Sequence, residues 1–227
     1  MGNDARLAVS TVIFTLRGQS DVDKRAGVPA LWTPFVLRTR DPYQDRWALP
    51  GGWLPDDEEL EEAAARTLAE TTGLHPSYME QLYTFGRVDR SPTGRVISVV
   101  YWALVRGAEV EQAVPTENVR WYPADDLPEL AFDHRQIVDY ALTRLRTKVE
   151  YARIAHAFLG ETFTLGQLRM VHEAVLGESV DPANFRRSAL AEGDLEETGD
   201  YLAGTPHRPP KLYRYRADVD VQPGLTH

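Results

Sequence analysis

The chain has 227 residues, a length that suits two domains, and its 43% hydrophobic and 26% charged content is that of a soluble protein able to bury a core. It contains no cysteine, which excludes disulfides, thiolate catalysis and Cys-based zinc sites. Its net charge of −9 opposes indiscriminate binding to a phosphate backbone, although screening beyond ~8 Å leaves room for a local basic surface. No apolar run approaches the ~18 residues of a membrane span. The start, MGNDARLAVSTVIF, lacks the basic, apolar and small-residue blocks of a secretion signal, so a cytoplasmic protein with no membrane partner is expected.

Leu7 to Leu16 carries Val9, Val12, Ile13 and Phe14 and reads as a buried strand. A polar loop from Gly18 to Ala30 follows. Trp32 to Arg40 is a second strand, with Pro34 favouring its beginning or a sheet edge, and Asp41-Pro42 a turn. Arg46 to Leu49 then runs into Pro50-Gly51-Gly52, where glycine permits a sharp turn and close approach to a ligand. In the acidic stretch beyond, Asp56 and Glu59 have the spacing of a capping box, and six carboxylates crowd the start of a helix ending at Gly73. On that helix Leu60, Ala64 and Leu68 share a face that should pack on a sheet, while Arg66 and Glu70 sit one turn apart, as an ion pair requires. Met79 to Phe85, Val96 to Val105 and Val119 to Tyr122 read as further strands. Between the first two lies an arginine-dense turn, Gly86 to Arg95.

The stretch WALPGGWLPDDEELEEAAARTLAETTGL, Trp47 to Leu74, resembles a Nudix box, the signature of hydrolases that cleave nucleoside diphosphates linked to another moiety. Gly52, Glu58, Arg66, Leu68, Glu70, Gly73 and Leu74 fall on the pattern in register. Thr67 and Thr71 stand where the pattern asks for glutamates. In that family the glutamates converge on Mg²⁺, which takes oxygen ligands, bridges diphosphate oxygens and activates water. A threonine hydroxyl is a far poorer ligand for a hard cation. The resemblance therefore implies a retained nucleotide pocket with weak metal binding at most, through Glu70, and no required cofactor. Arg38, Gly52, Glu70, Arg87 and Arg90 are the candidate ligand-binding residues, the arginines because guanidinium groups pair with diphosphate. No catalytic residue is assigned.

From Phe132-Asp133-His134 onward, Ile137, Ala141, Leu145 and Val149 recur at helical spacing, and the pattern runs on through Ile154 to Leu159. No Pro/Gly/Ser linker interrupts it, and the boundary between domains 1–147 and 148–227 is set near Lys148. For His134 a structural role at the helix start is the default. Thr164-Leu165-Gly166-Gln167 is a capping box opening a second helix that ends at Gly177. Its inner face holds Leu165, Leu168, Val171, His172 and Val175. A third helix has Asp181 as cap and Pro182 in first position; Phe185, Ala189 and Leu190 face its core, Asn184 and Arg187 point outward, Arg186 lies at the flank, and Gly193 closes it.

Asp200-Tyr201-Leu202, the turn-forming Gly204-Thr205-Pro206 and Arg208 to Arg216, in which Leu212, Arg214 and Arg216 alternate with Tyr213 and Tyr215 as a strand, read together as a β-hairpin. His207 to Arg216 holds four Lys/Arg, one His and no acid. Three helices and a basic hairpin are the order of a winged helix-turn-helix, whose third helix enters the major groove. Thr164, Asn184, Arg186, Arg187, His207, Arg208 and Lys211 are the candidate DNA-binding residues, types suited to phosphates and base edges.

With FDH, FTLGQLRMVHEAVLG, NFRR and RPPKLYRYR added to the box, nearly the whole chain resembles the NrtR family of Nudix-related transcriptional regulators of NAD metabolism. The resemblance implies an α+β protein: a Nudix-like α/β/α sandwich with a mixed sheet, then a C-terminal winged helix-turn-helix. It further implies a homodimeric repressor that binds operator DNA at NAD-biosynthesis genes and senses ADP-ribose or a related NAD-derived nucleotide, with little hydrolysis and so not chiefly an enzyme. The alternative is an active pyrophosphatase on ADP-ribose or a related dinucleotide.

Overall fold

The computed structural model describes residues 4–17, 29–76, 78–113, 117–151, 153–204 and 209–216. The chain divides into two compact units, Met1–Thr15 with Leu31–Arg144, and Leu16–Ala30 with Leu145–His227.

The first unit is built on a seven-stranded mixed sheet. β1 (Arg6–Arg17) runs parallel to β6 (Val96–Val105), and β5 (Tyr78–Phe85) is antiparallel to β6. On the other side of β1 lies β2 (Ala30–Leu37), which pairs with β3 (Trp47–Ala48) and β7 (Val119–Pro123). β4 (Gly51–Trp53) crosses antiparallel to the start of β1. Alternation along β6 sorts its side chains onto two faces. Val99, Tyr101, Ala103 and Val105 meet α1 (Leu60–Thr72) in apolar clusters with Val9, Ile13, Ala63, Ala64 and Leu68. The wholly buried Leu68 alone contributes roughly 1.5–3 kcal/mol. The opposite face is met by α3 (His134–Tyr151), whose Tyr140 ring touches Tyr83 and Phe85. Ile137, Ala141, Leu145 and Val149 are all buried, as their spacing indicates. Helix, sheet, helix is the layering expected.

Several expectations are corrected. Pro34 lies mid-strand in β2, opposite Trp121, with strands on both sides of β2; proline removes one donor, and the other residues keep the ladder. No capping box forms at Asp56 and Glu59. The helix begins only at Leu60, with Glu59 as a cap that makes no side-chain hydrogen bond, so just Glu61 and Glu62 lie in the first turn. α3 does not run to Leu159: it ends at Tyr151, and Arg153–Phe158 form a 3₁₀ helix. A short helix, α2 (Gly107–Gln112), was not anticipated; its six residues are too few to show a period.

In the second unit α4 (Leu165–Leu176) carries the Thr164/Gln167 capping box, both hydrogen bonds formed, and ends on left-handed Gly177. α5 (Pro182–Ala191) is capped by Asp181, whose carboxylate accepts the Asn184 N–H, and ends at its cap Glu192 with Gly193, at a left-handed φ of 77°, closing it as expected. Phe185 packs edge-on to His172, but Leu190 is exposed, because α5 is short and only Ala189 reaches full burial. The hairpin is β8 (Leu195–Tyr201) with β9 (Lys211–Tyr215). β8 starts five residues before the Asp200 expected. Phe163 bridges to Tyr213, adding the segment before α4 to the hairpin. Among the described residues no helix is long and apolar enough to cross a membrane.

Gly51 is demanded by the fold itself: a Cβ there would lie 2.3 Å from the Val9 carbonyl oxygen. Gly51→Ala is therefore expected to lower the unfolding free energy by about 1–3 kcal/mol. Urea denaturation checks this, and an unchanged midpoint would contradict the contact.

Candidate functional site

In the first unit, the crossing of β4 over β1 borders a cavity of about 520 Å³. Ser10 and Ser98, one on each parallel strand, line it with their hydroxyls 3.2 Å apart. The β2–β3 turn supplies Arg38 and Arg40, the Gly86–Arg95 turn supplies Arg90, Ser91 and Thr93, and the start of α3 supplies Phe132 and His134. Leu130 bridges to Trp47 of β3, and the Ala131 N–H donates to the Trp47 carbonyl. That pairing brings Phe132 and His134 to the cavity. Phe132 takes a positive φ of 56°, rare for a bulky residue, and its ring packs against Tyr43, His134 and the Arg38 guanidinium.

The charged groups here are held by one another. Arg90 forms a buried, two-pronged ion pair with Asp133, at 2.8 and 2.9 Å. Arg38 donates through Nε to the Pro42 carbonyl and through Nη2 to that of Arg40. Burial pulls its guanidinium below the ordinary arginine value, against the opposing charge of Asp41. His134 Nδ1 accepts the Leu49 N–H at 2.9 Å, so the proton belongs on Nε2. Burial pushes this imidazole down to about 4; Arg90 and Arg38 push the same way and Asp133 opposes them.

The proposed ligand residues separate into two groups. Arg38, Gly52 and Arg90 line the cavity; Glu70 and Arg87 are not among its lining residues. Arg87 is exposed and bonded to Asp89. Glu70 is exposed and accepts from Arg66 at 3.2 Å. Arg66 also holds Glu58 through two hydrogen bonds, 2.6 and 2.8 Å, and these depress the Glu58 carboxyl and raise the guanidinium. The Thr67 hydroxyl donates to the Ala63 and Ala64 carbonyls, and that of Thr71 to Thr67. The donor set a Nudix magnesium would need does not fit: its two acids share one guanidinium, and its two threonines offer only neutral hydroxyl oxygens, that of Thr67 buried. Among the described residues no group of three or more His, Asp or Glu converges to hold a metal. Arg6, Ser10, Arg40, Trp53, Ser98, Phe132 and His134 also line the cavity. Of these only Phe132 and His134 are singled out in the sequence, at a helix start rather than in a pocket, because a cavity assembled from six separated segments leaves no local spacing to read.

In the second unit, Thr164, Arg186 and Lys211 line one cleft of about 320 Å³ with Tyr201 and Tyr213. Asn184 and Arg187 are exposed on α5, joined by a 2.8 Å hydrogen bond. His207 and Arg208 lie outside the described residues. The hairpin is less basic than β9 alone suggests. Lys211 pairs with Glu197 at 2.7 Å and Arg214 with Glu196, both acids on β8.

A Nudix fold with an accessory winged helix is the class these two sites define. Residues 24–141 match the NUDIX domain family and residues 155–215 match the family described as the NrtR DNA-binding winged helix domain. The chain is 33% identical, over 80% of its length and 74% of the relative's, to the ADPR responsive transcriptional repressor NtrR of Acinetobacter baylyi. It is also similar to the Shewanella oneidensis NrtR crystallised with a 27mer DNA, with 33% identity, a TM-score of 0.74 and 92% and 93% of the two chains covered. The NUDIX domain of that NrtR, crystallised with ADP ribose, matches at 33% identity and a TM-score of 0.51 over 63% of this chain and 90% of that one. The chain belongs to the NrtR family.

The His134 shift has a pH consequence. Its folded value lies below the unfolded ~6.5, so stability is fully present above pH 6.5. As pH falls from there towards 4, the unfolded chain takes up a proton that the folded one refuses. Wild type is expected to lose roughly 3 kcal/mol more than His134→Asn over that window, measured by denaturation at stepped pH. Parallel profiles would contradict the buried neutral imidazole.

Proposed function

We infer that this chain is a DNA-binding transcriptional repressor whose Nudix unit binds ADP-ribose, or a related NAD-derived nucleotide, as effector without consuming it. The observation that carries the reading is the contrast within one unit. The cavity keeps arginines, paired serines and an imidazole, while the two remaining acids of the box pattern, Glu58 and Glu70, are tied to Arg66 and neutral threonines stand at 67 and 71. A sensor must hold its ligand through many binding cycles, and losing the hydrolytic metal site while keeping the pocket serves that end. No cofactor is required, and Mg²⁺ has at most a weak hold through Glu70. The relatives that respond to ADP-ribose or were crystallised with DNA support the same assignment.

On DNA, the exposed α5 pair Asn184 and Arg187 suits base edges in the major groove, and Thr164, Arg186 and Lys211 suit the phosphates beside it. The protein acts in the cytoplasm as a homodimer on a near-palindromic operator, with half-sites about one helical turn apart, at genes of NAD biosynthesis. The domain boundary is drawn near Lys148. The effector works only through unequal affinity for DNA-competent and incompetent states.

A gel-shift titration of the full chain on promoter DNA of NAD-biosynthesis genes tests this. Binding in the nanomolar range at physiological salt, shifted at least fivefold by saturating ADP-ribose, is expected. Operator affinity that ADP-ribose leaves unchanged would refute the sensor.

A further inference from the structure

One side of the cavity carries a stacked pair that the electrostatics above do not use. Trp53 ends β4 with 45% of its surface exposed, a large value for an indole. The guanidinium carbon of Arg6 lies 3.6 Å from the centroid of its ring. Both residues line the cavity. Strand register holds them there: Ala8 pairs with Trp53 across β1 and β4, and Arg6 pairs with Val96 across β1 and β6. An exposed cation–π pair adds little to stability, and so much exposed indole is not explained by packing.

The β2–β3 turn contributes a different chemistry to the same cavity. Arg38 is fixed over Phe132 by its bonds to two turn carbonyls, and Arg40 is exposed beside it. Two guanidinium groups suit two phosphates. The cavity therefore offers charge for a diphosphate on one element and a flat, delocalised surface on another. A nucleoside diphosphate has both parts.

We propose that Trp53, backed by Arg6, is the base platform of the effector pocket, taking the purine of the ligand by stacking while Arg38 and Arg40 take its diphosphate. The proposal rests on the reading of this cavity as the ADP-ribose site and specifies how the ligand lies in it. Stacking uses the π-face that every base has, so the platform selects ligands that carry an aromatic base. A side chain at position 53 that is merely apolar does not replace it.

The test is equilibrium binding of ADP-ribose to the full chain and to Trp53→Phe, Trp53→Leu and Trp53→Ala, with thermal melting of each. The expected result is a loss of about tenfold or more for Trp53→Ala and Trp53→Leu, with Trp53→Phe staying within about threefold of wild type. Since Trp53 is half exposed, melting should move little in any variant, and if Trp53→Ala fails to fold, the Leu and Phe variants decide. Equal affinity across the series overturns the platform, as does Trp53→Leu binding as well as Trp53→Phe. Wild type that fails to bind ADP-ribose overturns the effector reading itself, a result distinct from wild type and variants binding alike.

Discussion

The passage of β4 across β1 is the contact on which the cavity of the first unit depends. Gly51 lets the two backbones meet where no side chain fits, with a Cβ barred by the Val9 carbonyl oxygen at 2.3 Å. The next residue, Gly52, is close enough to α1 that a Cβ would meet the Thr67 methyl at 3.3 Å. Strand, box loop and helix are thus drawn together at one place. The same crossing sets Trp53 opposite Ala8 and leaves Ser10 and Ser98 on the cavity lining. A compact residue at 67 suits this junction, and its hydroxyl is satisfied within the helix rather than by anything in the pocket.

What the box helix can do chemically follows from one guanidinium. Arg66 is bonded to Glu58 and to Glu70 at once, and at Thr67 and Thr71 there is no carboxylate to add to them. Mg²⁺ demands several oxygen ligands in near-octahedral order. Here the acids that remain face a permanent cation, and bringing a metal to them would cost that ion pair. None of this touches the cavity arginines, because Arg38, Arg40 and Arg90 stand on other segments.

The fold was largely legible in the sequence, and the pocket was not. Ile137, Ala141, Leu145 and Val149 announce a buried helical face, and Thr164 with Gln167 a helix start, because each depends on neighbours along the chain. The Asp56 cap misled for the opposite reason: the helix starts only at Leu60, and Glu58 just before it is held by Arg66, eight residues away, which no local spacing announces. The acid-free run around β9 misled similarly, since its Lys211 and Arg214 find Glu197 and Glu196 only when β8 folds alongside. Phe132 and His134 reach the pocket through the Leu130–Trp47 pairing, 83 residues apart in number, and nothing near them in the chain signals it.

The central claim is that the pocket binds its nucleotide while the box leaves it intact and needs no metal. Calorimetric titration of ADP-ribose into the full chain, with Mg²⁺ and again with EDTA, followed by chromatography of the recovered ligand, tests both halves together. The account predicts equal affinity in the two buffers and ADP-ribose recovered whole. Binding that EDTA abolishes, or recovery of AMP and ribose 5-phosphate after the Mg²⁺ titration, would contradict it.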